Sequence, residues 1–307
     1  MNAGEGGPRR PAATDPTGEV DLEDTTAVRQ AIKANLDRSY GGGYDAALLE
    51  QATADLVRAY RGEYPGLLPC DTLYHDLRHA LETGLTAARL LDGLAKDPDG
   101  AAGAPISGSR ALLTVLLALY HDIGLLRRED EAHLWGPVLI PIHEERGVEF
   151  MQGYLATTGL APEAGLARLI MPTKLTFYMP QDWTREERVL GSAIATADLL
   201  SQCADRCYLE KCRDFLFDEF AAFGLAGKPE SPYPDRETLL AKTPAFVSGF
   251  VRERLDKEFG GIYRMLELHT GEGNPWMEAI DRSLEHLESV LNDRDFSRLR
   301  RRPTRFV

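Results

Sequence analysis

The sequence predicts an all-α protein, and three observations carry that expectation. Apolar residues recur at i, i+3 and i+4 through most of the 307 residues. Runs of alternating Val, Ile and Thr, the mark of half-buried strands, are nearly absent. Gly and Pro clusters fall where helices should end, at Gly41 to Gly43, Pro65 to Pro69, Pro137 to Pro141, Pro180 and Gly227 to Pro234. With 43% hydrophobic residues and no internal repeat, the chain is long enough to bury one substantial core.

Residues 1–25 hold no apolar stretch and are rich in Gly, Pro, Asp and Thr, so they read as a disordered leader and not as a secretory signal. Residues 26–291 read as one helical domain. Within it the spacing predicts helices over Thr26–Asn35, Tyr44–Arg61, Leu77–Leu94, Ser109–Leu119, Glu144–Thr157, Ala164–Ile170, Arg185–Phe223, Arg236–Phe259 and Pro275–Leu291. The longest internal interruption, Asp92 to Gly108, is a loop near a cleft mouth or a tolerated insertion. Residues 292–307 form a basic tail with Arg298, Arg300, Arg301, Arg302 and Arg305, whose simplest reading is a solvated chain end.

The net charge of −13 argues against a general nucleic-acid binder, which needs a surplus of Lys and Arg to neutralise phosphates. A small anionic substrate stays compatible with it, because a bound cation inverts the local potential of a cleft. No apolar run approaches the roughly 20 residues that cross a bilayer, so no membrane span is expected. Cys70, Cys203, Cys207 and Cys212 form no CxxC pair, and reduced thiols in a cytoplasmic protein are the expected state. Cys203 and Cys207 stand four apart, without a further Cys or His at zinc-finger spacing, and read as structural thiols.

Three segments place charge where solvation is poor. In LYHDLRHALETG, His75 and His79 stand at i, i+4 and share a helical face if the helix has begun by His75, with Asp71 or Thr72 as its cap. A lone HxxxH pair also arises on ordinary surfaces. In ALLTVLLALYHDIGLL, an almost wholly apolar helix ends in His121 and Asp122. A buried carboxylate there costs several kcal/mol unless it is paired or bound to a cation. A His-Asp hydrogen-bonded cap is the alternative to a metal-ligand pair. VLGSAIATADLLSQCADR repeats the logic with Asp198 inside an apolar helix. Together the segments offer two His and two carboxylates to one divalent ion.

In that order the residues resemble the H…HD…D signature of the HD-domain superfamily of metal-dependent phosphohydrolases. YHDLRHA is similar to the YHNxxHA stretch of cyclic-nucleotide phosphodiesterases, and ATADL to their ADLS segment. The resemblance covers about residues 70 to 215. It implies a single helical domain of the HD type. It makes His79, His121, Asp122 and Asp198 ligands of a first metal, with Asp122 bridging toward a second. His75 becomes the general acid, and the nucleophile a water held between two divalent ions. The ions would be one or two of Mn, Mg, Zn, Fe or Co. The helix beginning IHEERGVEF resembles the third-His helix of other HD proteins, which makes His143 or Glu144 a candidate second-metal ligand, although acids at a helix start also suit its dipole. Lys174, in MPTKLTFY, stands where related phosphohydrolases show a TK pair, which makes it a candidate phosphate contact, with a solvated lysine as the alternative.

This sequence departs from the phosphodiesterases in carrying Asp76 for their Asn, and it offers no counterpart of their base-clamping glutamine. No further histidine lies between His143 and Asp198, where HD proteins with six protein ligands have one. The resemblance therefore implies a phosphohydrolase acting on a small phosphorylated substrate, a nucleotide or cyclic nucleotide foremost. The alternatives are an HD-type di-iron oxygenase acting on a small polar substrate and a degenerate nucleotide-binding signalling module. His133, His269 and His286 have no ligand-like context.

Overall fold

The structure is a computed structural model describing residues 13–97 and 100–307. Among the described residues the chain is all-α, with eleven α-helices joined by 3-10 and π-helical turns and without a β-strand. Helix α3 (Leu77–Lys96) is the axis of the packing. Every residue from Leu77 to Leu94 is buried. It is covered by α1 (Thr25–Tyr40), α4 (Gly108–Leu119), α6 (Arg185–Ala204) and α10 (Met265–Thr270). Helices α4 and α6 are almost as enclosed, with Ala111–Leu119 and Leu190–Ser201 buried, so their apolar residues surround them instead of forming one stripe. Gly84 lets α3 and α4 approach closely, because a Cβ there would overlap the Leu119 side chain. Around this centre stand α2 (Ala46–Tyr60), α5 (His143–Ala156), α7 (Tyr208–Lys211), α8 (Phe217–Ala222), α9 (Arg236–Ala245) and α11 (Pro275–Asp293). Their buried faces join one hydrophobic cluster running from Val20 to Leu299.

Several boundaries differ from the periodicity. Helix α3 starts at Leu77, as the spacing predicts, but runs on to Lys96, and its cap is Asp76 and not Asp71 or Thr72: the Asp76 carboxylate accepts the His79 N–H at 3.1 Å. His75 therefore lies outside the helix and does not share its face with His79. The apolar pattern from Arg185 to Phe223 is broken after Ala204. There Asp205 accepts the Cys207 N–H at 2.7 Å and forms buried ion pairs with Lys211 at 2.6 Å and Arg78 at 3.5 Å. The Arg236–Phe259 stretch holds Pro244, and the ladder loosens into π-helical turns at Phe246–Val251 and Arg254–Glu258. Asp92 is the buried end of α3, bonded to His269 Nδ1 at 2.6 Å and Lys96 at 2.7 Å. The loop after it lines a hollow of about 350 Å³ with Ser39 and Tyr40, apart from the histidine cluster.

Both chain ends are more structured than their composition suggests. Residues 1–12 of the expected leader lie outside the described residues, as do residues 98–99. From Thr14 to Glu23 the chain packs on the domain. Buried Asp15 pairs with buried Arg89 of α3 and accepts the N–H groups of Glu19 at 2.9 Å and Val20 at 2.8 Å, while Leu22 is fully buried. The basic tail, expected to be solvated, forms a strap. Leu299 is buried, and Arg305 donates to the carbonyls of Cys70 and Thr72. Phe306 donates to Asp76 Oδ2 at 2.9 Å and accepts the Leu77 N–H at 3.0 Å. The Arg305 charge serves backbone acceptors near His75, while Arg301 donates to the Arg206 carbonyl and Arg298 pairs with Asp293. All four cysteines are free and buried.

Candidate metal centre

Four elements bring the candidate ligands together beside a cavity of about 480 Å³, whose wall includes His121, Asp122, His143 and Asp198 with His79 behind them. Helix α3 presents His79 one turn in. Helix α4 ends at Leu119 with Tyr120 as its cap, and the next two residues, His121 and Asp122, stand at the turn that follows. Helix α6 brings Asp198 from its apolar middle, and α5 opens with His143. Close approach at Gly124 seats α5 against that turn, because a Cβ there would overlap the His143 carbonyl. Arg146 adds a hydrogen bond from Nε to the Gly124 carbonyl at 2.7 Å.

The ligating atoms of His79, His121 and Asp122 lie within 4.8 Å of one another. Asp198 Oδ1 is 3.1 Å from His79 Nε2 and 3.5 Å from His121 Nε2. His143 Nε2 stands 3.3 Å from the other oxygen of Asp122, Oδ1. Two ring orientations are fixed from behind. His121 Nδ1 is 2.9 Å from the Ala118 carbonyl and His143 Nδ1 is 2.6 Å from the Ile140 carbonyl. Nδ1 must carry the proton to donate there, which leaves Nε2 as a free lone pair in the neutral ring.

Electrostatics point the same way. Burial opposes charge on His121 and His143, yet the neighbouring carboxylates, Asp122 foremost, raise both imidazoles above their ordinary range. Against the same burial, these imidazoles hold Asp122 well below the usual carboxylate range, and His121 and His79 lower Asp198. The cluster draws positive charge to itself. Meanwhile His121 Nε2, Asp122 Oδ2 and Glu144 Oε2 are buried without hydrogen-bond partners. The orphaned His121 Nε2 and Asp122 Oδ2, 3.2 Å apart in the buried cluster, fit a cation that would satisfy both, while Glu144 Oε2 faces Lys174 Nζ at 3.5 Å.

His75 lines the same cavity from the loop before α3. Its ring centroid is 6.2 Å from that of His79 and 6.4 Å from that of His143. Its Nδ1 is 2.6 Å from Glu219 Oε2. Burial works against the charged imidazole, but Glu219 prevails and holds it up at about 9 before any cation is counted. Glu219 is fully buried, and its other oxygen accepts the N–H groups of Leu73 and Tyr74, each at 2.6 Å. Sequence reasoning missed this residue. Its signal was the one that marked Asp198, an acid amid apolar neighbours, in FLFDEFAAF.

Lys174 lies on the cavity wall, with its ammonium donating to Glu145 at 2.7 Å and to the Pro141 carbonyl at 2.9 Å. Glu144 is buried beside His143, 3.3 Å from its Nδ1. His269 is structural, and among the described residues no helix is long and apolar enough to cross a membrane. The fold and site define an all-helical protein with a buried His-His-Asp cluster able to hold a metal ion. Comparison with protein families, with curated proteins and with solved structures returns no match.

Proposed function

We propose that the protein is a metal-dependent phosphohydrolase of the HD type. The observation that carries the reading is the presence, side by side at one cavity, of an ion-ready cluster with orphaned acceptors and a histidine–glutamate pair. His79, His121, Asp122 and Asp198 would hold the first divalent ion. The outer oxygen of Asp122 and His143 would face a second. Bound ions supply Lewis acidity toward phosphoryl oxygens and make water acidic enough to attack at neutral pH.

The chain's own residues do the rest. Burial of the cluster excludes bulk water and strengthens each charge interaction within it. Glu219 occupies His75 Nδ1, which leaves Nε2 as the ring nitrogen available to the cavity. With the imidazolium stabilised by Glu219 at Nδ1, His75 is suited to donate its Nε2 proton to an oxygen leaving group as general acid, returning to the neutral ring. Asp76 caps α3 and accepts from Phe306, fixing the backbone between His75 and His79.

The test is a phosphate-release screen of monoesters and diesters on protein reconstituted separately with Mn, Mg, Zn, Fe or Co. Hydrolysis with at least one metal, abolished by chelation, is expected. Oxygen consumption on the iron-loaded protein without phosphate release from any ester would contradict the proposal.

A further inference from the structure

The cavity is chemically two-sided. At one end stand the imidazoles and carboxylates already described. The rest of the wall includes Leu199, Leu216, Phe220, Leu225, Leu239 and Phe246. Two π-helical turns, Cys212–Leu216 and Phe246–Val251, contribute Leu216 and Phe246 to that wall. Such turns often shape functional sites.

Four of the polar side chains that line the cavity are turned to partners inside the protein. Gln202, the one carboxamide among the described lining residues, donates to Asp198 at 3.1 Å and accepts from the Tyr74 hydroxyl at 3.2 Å. The Thr243 hydroxyl donates to the Leu239 carbonyl at 3.0 Å, and that of Thr173 to the Ile170 carbonyl at 2.9 Å. Lys242 donates to the Pro232 carbonyl at 2.9 Å and lies over the Tyr233 ring. A nucleobase brings several donors and acceptors, and a pocket discriminates in favour of such a group only by pairing them. An apolar wall rewards area removed from water instead.

We infer that the cavity is a substrate pocket for a phosphoester whose alcohol half is hydrophobic, aryl or alkyl, and not a nucleoside. The inference rests on the phosphohydrolase reading for the fate of the ester, but the pocket's preference is measurable without turnover. The volume of about 480 Å³ equals about sixteen water volumes, room for a phosphate with a bicyclic aromatic group or a chain of about ten carbons.

The experiment is calorimetric titration of the full chain, loaded with Mn²⁺, with two non-hydrolysable probes. One is 1-naphthylmethylphosphonate and the other is the 5′-methylenephosphonate of adenosine. Leu225→Asn and Leu216→Asn each place an amide on the apolar wall. The naphthyl probe should bind at least about tenfold tighter than the nucleoside probe. Either variant should weaken the naphthyl probe on the order of tenfold, within the range that single pocket contacts command, without changing Mn²⁺ affinity. Equal or tighter binding of the nucleoside probe, or naphthyl binding unchanged in both variants, overturns the inference. Naphthyl binding as expected, with no ester hydrolysed under any metal, would retain the hydrophobic pocket and refute the hydrolase. Hydrolysis that favours nucleotides would retain the hydrolase and refute the pocket assignment.

Discussion

His75 and Glu219 are the pair on which proton transfer depends in the proposed reaction. Glu219→Gln keeps an oxygen for the Leu73 and Tyr74 N–H groups and removes the charge facing His75. We expect kcat to fall on the order of 10–100-fold, the scale of lost outer-shell partners, while metal content measured by elemental analysis stays at the wild-type level. Unchanged kcat would free His75 from any dependence on Glu219. His75→Ala should cost about 10²–10⁴ in kcat on an alkyl ester and far less on a nitrophenyl ester, whose leaving group needs no proton. Equal losses accompanied by lost metal would make His75 a ligand instead. At this scale the sequence was informative wherever an acid or imidazole interrupted an apolar run, as at His121, Asp122 and Asp198. Glu219 interrupts an apolar run in the same way, but its partner lies 144 residues away, so the sequence marks the acid without showing what it serves.

Two chain segments that composition marks as solvent-exposed are structural parts of the domain. The C-terminal strap ties Phe306 to Asp76 and Leu77, and Arg305 to Cys70 and Thr72, on either side of His75. Deleting residues 300–307 should leave metal content unchanged and lower kcat by about tenfold or more, since misplacement near 1 Å at a reacting group can cost a hundredfold. Full activity in the truncated chain would show that the loop holds itself. Near the N-terminus, Asp15→Asn strips buried Arg89 of its counter-charge, which costs about 3–5 kcal/mol when a buried pair loses one partner. Burial pushes the Asp15 carboxyl up, but Arg89 and its hydrogen bonds outweigh it and bring the group below its ordinary value of 3.8. A depressed carboxylate stabilises fully above that value and loses its contribution as pH falls through the lower folded one. Urea unfolding should therefore separate wild type from variant at pH 7, with the gap narrowing below pH 3.8. An equal gap at both ends of that range would remove the ion pair from the explanation. Neither docking was legible from sequence, because Gly, Pro, Asp and Arg signal local chain preference and not the distant acceptors they meet. The shared face of His75 and His79 depended on a helix begun by His75, and Asp76, capping α3 one residue later, leaves His75 outside it.

For the molecule as a whole, helical periodicity was sufficient to predict the all-α class, since α3, α4 and α6 bury long apolar runs at the centre. The π-helical turns and the break at Asp205 were not legible, because they answer to packing around the cavity and to the buried Arg78 and Lys211 charges. A cation held by the central helices would bind the folded state alone, linking metal to stability by about 2.7 kcal/mol at a hundredfold excess over Kd. The most direct test of the central claim is a Mn²⁺ binding isotherm on the chelated full-length chain, compared with Asp122→Ala. The wild type should bind at least one ion per chain saturably, and the variant should bind more weakly by on the order of a hundredfold or more. An Asp122→Ala isotherm that superimposes on the wild type would contradict the metal centre.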